Sequence, residues 1–151
     1  MKKLILLSCL LVGSVLTGCQ RDYAWDPNRM DEGALERPFQ TLAGGTMWRV
    51  LRDSGGRTPG PEEGYWVHYK GWVLDENGKE QLFDQSYGLG VASYFGAGQS
   101  IEGFYNAMLN CPEGGMIEIE IPPEQGYGDQ ELELIPANST LHFRIELIRI
   151  E

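Results

Sequence analysis

Two segments near the end of the chain alternate between apolar and polar residues, and this pattern constrains the fold more than any other feature. In residues 116–121, three isoleucines alternate with Glu118 and Glu120. Residues 140–150 repeat the pattern with four large apolar side chains, of which Leu141 is the first. Side chains of a strand point alternately to its two faces, so each segment is predicted to be a strand with one buried and one polar face.

Residues 46–115 add further short elements to this pair. Residues 46–52 predict a first strand, and residues 65–74, which are rich in aromatic and β-branched residues, predict a longer one. Residues 75–78 end in Asn-Gly, a sequence that favours a hairpin turn because both residues accept a positive φ. Residues 79–86 are then predicted to be the returning strand.

A short helix is predicted after Ser100, because serine is a residue type that caps helix N-termini. Apolar residues follow at spacings of three and four, the period of one helix face. They are Ile101, Phe104, Tyr105, Met108 and Leu109. Pro112 and the glycine pair after it end the pattern. The fold class is therefore predicted as α+β, with a twisted antiparallel sheet wrapped on one short α-helix.

The first 19 residues have the organisation of a bacterial export signal. Lys2 and Lys3 precede an apolar run that suits a signal peptide and is too short to span a bilayer. The run ends in Leu-Thr-Gly-Cys, which resembles the lipobox of bacterial lipoproteins. Residues 1–18 are therefore predicted to be removed, and Cys19 is predicted to carry the lipid that anchors the chain to a membrane. An ordinary signal peptide and a buried helix are the alternatives.

Residues 19–45 mix charges with prolines and end in a Gly-Gly pair, so they predict a spacer between the lipid and a domain at 46–151. Part of this spacer can pack on the domain through its aromatic residues. In proteobacteria an Asp after the lipidated cysteine favours inner-membrane retention. Gln20 occupies that position, so we expect a cell-envelope protein anchored in the outer membrane and facing the periplasm.

The formal net charge of −10 excludes some classes of partner. An anionic surface repels phosphates, so no nucleic acid is expected, and it repels anionic lipid, so membrane attachment needs a covalent anchor.

After export, Cys111 has no cysteine to pair with except the lipidated one, and a buried apolar thiol is expected. His68 and His142 lack a cysteine partner, so no metal site is expected. An oligomer is not expected either.

Five short blocks occur in residues 46–151 in a fixed order and at characteristic spacings. They read VHYKG at 67–71, FDQS at 83–86, IEGF at 101–104, IPPEQGYG at 121–128 and IPANSTLHFRIEL at 135–147. Together they resemble the FKBP-type peptidyl-prolyl cis/trans isomerases. The resemblance implies a curved half-barrel of five or six antiparallel strands around a short helix. It also implies isomerisation of Xaa-Pro bonds in secreted or envelope proteins, with proline-containing polypeptides as clients and no cofactor or metal.

The resemblance also implies which residues form the site. Asp84 would be the pocket carboxylate, and the Tyr127 hydroxyl would bond to a carbonyl of the peptide. The remaining site residues would form the apolar wall and rim that bind the substrate. They are Tyr69, Phe83, Val91, Ile101, Phe104, Ile135 and Phe143.

Two positions depart from the family pattern. Phe104 stands where active members usually have tryptophan, and phenylalanine has less area and no indole N–H. Val91 aligns with a wall position that is often phenylalanine. The loop of residues 87–97 is rich in glycine, so the alignment there is loose, and Tyr94 or Phe95 can fill that space instead.

The chemistry explains why such residues would suffice. Rotation about a proline amide breaks no bond, and its barrier of about 18–20 kcal/mol comes from lost resonance. A catalyst has to stabilise the twisted amide over the planar one. The twisted amide separates less charge, so a dry apolar pocket that grips proline favours it.

Two other hypotheses stay open: a low-activity FKBP-like chaperone or peptide-binding module in an envelope complex, and a structural lipoprotein that only contacts a partner.

Overall fold

The computed structural model of the protein describes residues 26–151. The predicted signal peptide of residues 1–18 and the predicted lipidation site Cys19 lie outside the described residues. None of the helical segments in the described part is long and apolar enough to cross a membrane.

The described residues form seven strands, one α-helix and four 3₁₀ turns. The strands are β1 (Gln40–Thr41), β2 (Met47–Arg52), β3 (Tyr65–Leu74), β4 (Glu80–Gln85), β5 (Ser93–Phe95), β6 (Met116–Ile121) and β7 (Leu141–Ile150). The helix α1 spans Glu102–Met108. The 3₁₀ turns span Pro27–Arg29, Ala34–Glu36, Tyr87–Leu89 and Pro123–Gln125.

All strand pairs are antiparallel, and the sheet order is β1-β2-β6-β7-β3-β4. β5 pairs with residues 65–67 of β3, on the edge where β4 pairs with residues 70–74. The predicted α+β architecture is therefore confirmed. The sheet has seven strands rather than the predicted five or six. The additional strands are β1 and β5, which have only two and three residues and are therefore too short to show an alternating sequence pattern.

One face of the sheet, here called the inner face, packs on α1 and forms the core. The three isoleucines of β6 lie on it and are fully buried. Gly103 lets the helix approach the sheet closely, since a Cβ there would lie 2.4 Å from Cγ2 of Ile121. A larger residue at this position would push the helix away from the sheet and loosen the core.

The start of α1 differs from the prediction. Ser100 was expected to cap the helix, but Ile101 occupies the N-cap position and makes no side-chain cap bond. The side chain of Ile101 is 4% exposed and belongs to the core, so its burial positions the first turn. The predicted Ser100 cap is wrong because tertiary packing outweighs a local capping preference.

The opposite face of the sheet, here called the outer face, carries charged side chains that are buried. Glu118 of β6 is 5% exposed, and its carboxylate lies 2.9 Å from Nη2 of Arg49 and 2.6 Å from Nε of Arg144. Glu146 of β7 is held in the same way, by Arg29 at 2.6 Å and by an arginine of β2 at 2.7 Å. The polar faces of β6 and β7 are thus closed by ion pairs.

The N-terminal segment of residues 26–45 packs against β2 and the outer face. Ala34 is buried with Leu51 and Met116 in a second, small apolar cluster. The backbone N–H of Asp31 donates to the carbonyl oxygen of Leu51 at 2.8 Å. The described part of the predicted spacer is therefore in contact with the sheet.

Candidate active site

Five aromatic rings from five different elements meet on the inner face, and we call them the aromatic cluster. They are Tyr69 of β3, Phe83 of β4, Phe95 of β5, Phe104 of α1 and Phe143 of β7. The ring centroid of Phe104 lies 5.3 Å from those of both Phe95 and Phe143. Phe83 meets Phe143 at 85°, the edge-to-face arrangement that aromatic rings favour. Phe83 alone among the five is only half-buried, so the cluster is accessible at its side.

Gly71 of β3 allows the contact between the outermost rings. It pairs with Phe143 of β7 on one side and with Asp84 of β4 on the other. A Cβ at Gly71 would lie 2.7 Å from the ring of Phe143 and 2.8 Å from that of Phe83. Any side chain here would separate the two rings, which explains the glycine in the block at 67–71.

Tyr69 and Asp84 form a hydrogen-bonded pair beside the rings. The Tyr69 hydroxyl donates to Oδ2 of Asp84 at 2.6 Å, a short bond typical of a carboxylate acceptor. Burial, and then the bond to Asp84, raises the pKa of Tyr69 well above its usual value, so the phenol keeps its proton. The side chain of Ser93 on β5 acts in the opposite direction and lowers the pKa of Tyr69 by a smaller amount. Asp84 itself is half-buried, so its carboxylate is within reach of a ligand at the open side of the cluster.

Three further predicted site residues belong to the same core. Ile101, Tyr127 and Ile135 are 4%, 7% and 6% exposed, and all three pack with the aromatic cluster. An electrostatic effect of Tyr127 also contributes to the raised pKa of Tyr69. The loop of residues 128–134 begins after Tyr127 and ends at Ile135, so it borders the cluster.

The structure does not bring Val91 into the cluster. Val91 is 59% exposed, and it lines a surface depression with Trp66 and Ile148. Phe95 fills the place that the sequence assigned to Val91, because the loop before β5 delivers positions 93 and 95 to the inner face. The sequence offers Phe95 as an alternative at this place but does not indicate Ser93. The available signal for Ser93 is its spacing of two from Phe95, and a strand of three residues is too short for that spacing to stand out.

Two other potentially reactive side chains of the described residues, Cys111 and His142, lie outside the aromatic cluster. Cys111 is fully buried, which confirms the expected apolar thiol, and burial raises its pKa to about 12. His142 stacks on Trp72 on the outer face, at 5.6 Å between ring centroids. Within residues 26–151, no three His, Cys, Asp or Glu side chains are grouped so that they could hold a metal ion.

The arrangement suits non-covalent chemistry on an amide. The half-buried ring of Phe83 is the accessible apolar surface of the cluster, and the polar groups beside the rings are one carboxylate and the hydroxyls of Tyr69 and Tyr127. These groups can grip, orient and desolvate a peptide bond. They provide no activated nucleophile of the kind that forms covalent intermediates.

Comparison with known proteins agrees with this geometry. The family described as FKBP-type peptidyl-prolyl cis-trans isomerase matches residues 55–148. The FKBP-type peptidyl-prolyl cis-trans isomerase FkpA of Escherichia coli K12 is 36% identical over 118 residues, which cover 78% of this chain and 42% of FkpA. FK506-binding protein 1 of Aspergillus oryzae is 31% identical over 114 residues, which cover 70% of this chain and 98% of that protein. The chain thus spans less than half the length of FkpA.

Solved structures show the same likeness. The crystal structure of Escherichia coli FkpA aligns with a TM-score of 0.68 at 34% identity, over 80% of this chain and 55% of that one. A peptidyl-prolyl cis-trans isomerase from Pseudomonas syringae aligns with a TM-score of 0.66 at 30% identity, over 80% and 86%. The family match includes all five sequence blocks and covers well over half of the chain. This chain therefore belongs to the FKBP-type peptidyl-prolyl cis-trans isomerase family.

Proposed function

We propose that the chain catalyses cis/trans isomerisation of Xaa-Pro bonds in secreted or envelope proteins and so assists their folding. The observation that carries this proposal is the Tyr69–Asp84 pair at the accessible side of the aromatic cluster. Family membership supports it, since the matching family is described as an isomerase of this bond.

The site residues would act by binding the twisted amide better than the planar one. The proline ring packs against Phe83, the accessible ring, with Phe104 and Phe143 behind it, and this contact excludes water and lowers the local dielectric. A twisted amide has lost part of its charge separation, so it is favoured there relative to water. Asp84 and the Tyr127 hydroxyl orient the polar groups that flank the ring, and Ile101 and Ile135 complete the rim.

A protease-coupled assay with a proline peptide tests this function in the full chain. Asp84→Leu and Tyr127→Phe should each lower kcat/KM by roughly tenfold, because each removes one orienting contact. Both variants should remain folded, which urea denaturation checks, although Asp84→Leu leaves the buried Tyr69 hydroxyl without its acceptor and should be the less stable of the two. Glu120→Gln, a carboxylate on the outer face, is the matched control and should keep full activity. A wild-type chain without activity would overturn the function, and unchanged rates in both site variants would overturn the site.

A second candidate function is a peptide-binding or chaperone module with little turnover, and Phe104 favours it. Phenylalanine gives the centre of the cluster less aromatic area than the tryptophan usual at this position. Phe104→Trp should raise kcat/KM by about fivefold if the ring limits catalysis, since an added aromatic contact contributes about 1 kcal/mol. An unchanged or lower rate in Phe104→Trp, with peptide binding retained, would favour the binding module.

Location in the cell envelope is part of the proposal. Residues 1–18 would direct export, Cys19 would carry the lipid, and the domain would face the periplasm from the outer membrane. Two or three acyl chains hold a protein firmly, because each buried CH₂ contributes about 0.8 kcal/mol. Cys19→Ser should therefore leave a soluble, unlipidated protein after cell fractionation. Partition of this variant into membranes would exclude Cys19 as the sole anchor.

A further inference from the structure

Ser86 lies directly after β4 and binds both backbone groups of Tyr69. Its N–H donates to the Tyr69 carbonyl oxygen at 2.9 Å, and its Oγ accepts from the Tyr69 N–H, also at 2.9 Å. In a regular antiparallel ladder the second bond would go to the Ser86 carbonyl oxygen. That oxygen instead accepts from the N–H of Leu89, where the chain turns away from the sheet. The hydroxyl therefore replaces a backbone acceptor and lets the chain leave β4 while Tyr69 stays paired.

His68 supports this hydroxyl from the outer face. Its Nδ1 lies 3.2 Å from Oγ of Ser86, and its ring stacks on Tyr87 with 5.3 Å between centroids. Both His68 and Ser86 are buried, at 4% and 1% exposure. Since Oγ accepts from the Tyr69 N–H, the hydroxyl proton is available for a neutral Nδ1. The ring thus fixes the rotamer of Ser86.

The position of the Tyr69 ring decides the geometry of the site. Its hydroxyl donates to Asp84 at 2.6 Å, and the two residues lie on the neighbouring strands β3 and β4. The spacing of these two strands therefore determines the position of the carboxylate relative to the rings. The β3–β4 register shifts between Gly71 and Trp72, so the regular ladder is interrupted directly beside this pair. On the other side the register continues only through Lys70 and Gln85 before Ser86.

We propose that Ser86, backed by His68, is a positioning residue for isomerisation: its hydroxyl holds the backbone at Tyr69 so that the Tyr69–Asp84 pair faces the proline substrate. This inference rests on the proposed function. Ser86 acts through Tyr69 and touches no substrate atom itself. Its loss should therefore lower turnover more than it weakens peptide binding.

Kinetics of the full chain test this role, with kcat and KM measured separately. Ser86→Ala should lower kcat by about tenfold and leave KM within about twofold, because sub-ångström misplacement affects the reactive geometry first. Ser86→Thr keeps the hydroxyl and should restore most of kcat. Ser54→Ala removes a different serine hydroxyl, which donates to the carbonyl of Glu113, and should leave both constants unchanged.

If Ser86→Ala fails to fold, His68→Phe decides, since it keeps an aromatic ring against Tyr87 and removes the contact between Nδ1 and Oγ of Ser86. It should lower kcat by about threefold through a looser Ser86 rotamer. An active wild type with unchanged kcat in Ser86→Ala, or in His68→Phe if that variant must stand in, would overturn the positioning role alone. An inactive wild type would overturn the proposed function itself.

Discussion

The two faces of the sheet are both buried near the centre, yet opposite kinds of side chain fill them. On the inner face the rings of Phe104 and Phe143 pack with aliphatic side chains, and burial of apolar area is the dominant stabilising effect. On the outer face Glu118 and Glu146 are 5% and 4% exposed between arginines. This contrast indicates which face can bind a substrate. A dry apolar face can bind a proline ring, whereas on the outer face the ion pairs would have to be broken before a substrate could bind.

The largest expected effect is a loss of stability when an ion pair of the outer face is removed. Glu118→Gln removes a buried charge from between two partly buried arginines, and breaking a largely buried ion pair by removing one partner is costly. The free energy of unfolding should fall by about 3 kcal/mol, measured by urea denaturation. The kcat/KM of the folded protein should stay within about twofold of wild type, because this face does not touch the amide.

Glu120→Gln is the matched control on the same strand and face. Its carboxylate is more accessible and lies 3.8 Å from Nδ1 of His142, so the change should cost less than about 0.5 kcal/mol. Equal stability losses in Glu118→Gln and Glu120→Gln would show that buried charge does not organise this face. A large loss of activity in Glu118→Gln would show that the two faces are coupled.

The second expected effect is a loss of stability and of substrate binding when the inner face is overpacked. Gly71→Ala places a Cβ within 2.8 Å of both Phe83 and Phe143, so the rings must move apart. We expect a loss of about 2 kcal/mol in unfolding free energy, typical of overpacking, together with a raised KM. Gly88→Ala is the control, because the nearest atom to its Cβ would be 3.4 Å away. Unchanged KM in Gly71→Ala would separate these rings from substrate binding.

The sequence predicted most of the inner face and little of the outer one. Alternation placed the isoleucines of β6 and Phe143 on one side, and the sequence blocks brought Tyr69, Phe83 and Asp84 together. The partners of Glu118 were not predictable, because Arg49 lies 69 positions away and no local pattern connects them. Phe95 and Ser93 were obscured by a glycine-rich loop and a strand of only three residues.

A smaller effect concerns the pH dependence of the outer face. Burial lowers the pKa of His68 below its usual 6.5; Glu146 opposes this shift and Arg29 adds to it. The unfolded chain therefore binds a proton near pH 6.5 before the folded chain does. This contribution to stability is present above that pH and is lost as the pH falls through the folded pKa.

Urea denaturation between pH 7.5 and 5 measures this dependence, at about half-unit intervals. His68→Phe should lose less stability than wild type as the pH falls over this range, because it has no imidazole to protonate. Identical slopes for the two proteins would contradict the assigned direction of the His68 pKa.

The smallest effect sharpens the contrast in charge between the faces. The arginines that pair with Glu118 lie on the outer face, whereas residues 80–143, which supply β4, β5 and α1, contain no Lys or Arg. The loop at 128–134 carries Asp129, Glu131 and Glu133 beside the cluster. At low salt, kcat/KM should be about twofold higher for a peptide with Lys beside the Xaa-Pro unit than for one with Glu.

This preference should shrink in about 0.5 M salt, where exposed charges are screened. Neutralising the three loop carboxylates together should also reduce it, by Asp129→Asn, Glu131→Gln and Glu133→Gln. A ratio of one at low salt would show that the loop charges do not reach the substrate.

NMR exchange spectroscopy of a labelled chain with excess Xaa-Pro peptide tests, in one sample, whether a proline substrate contacts the rings of the inner face and isomerises there. We predict exchange between the cis and trans peptide signals, together with shifted amides at Tyr69, Asp84 and Phe104 and unshifted ones at Arg29 and Arg49. Absent exchange, or shifts concentrated around Arg29 and Arg49, would contradict the account.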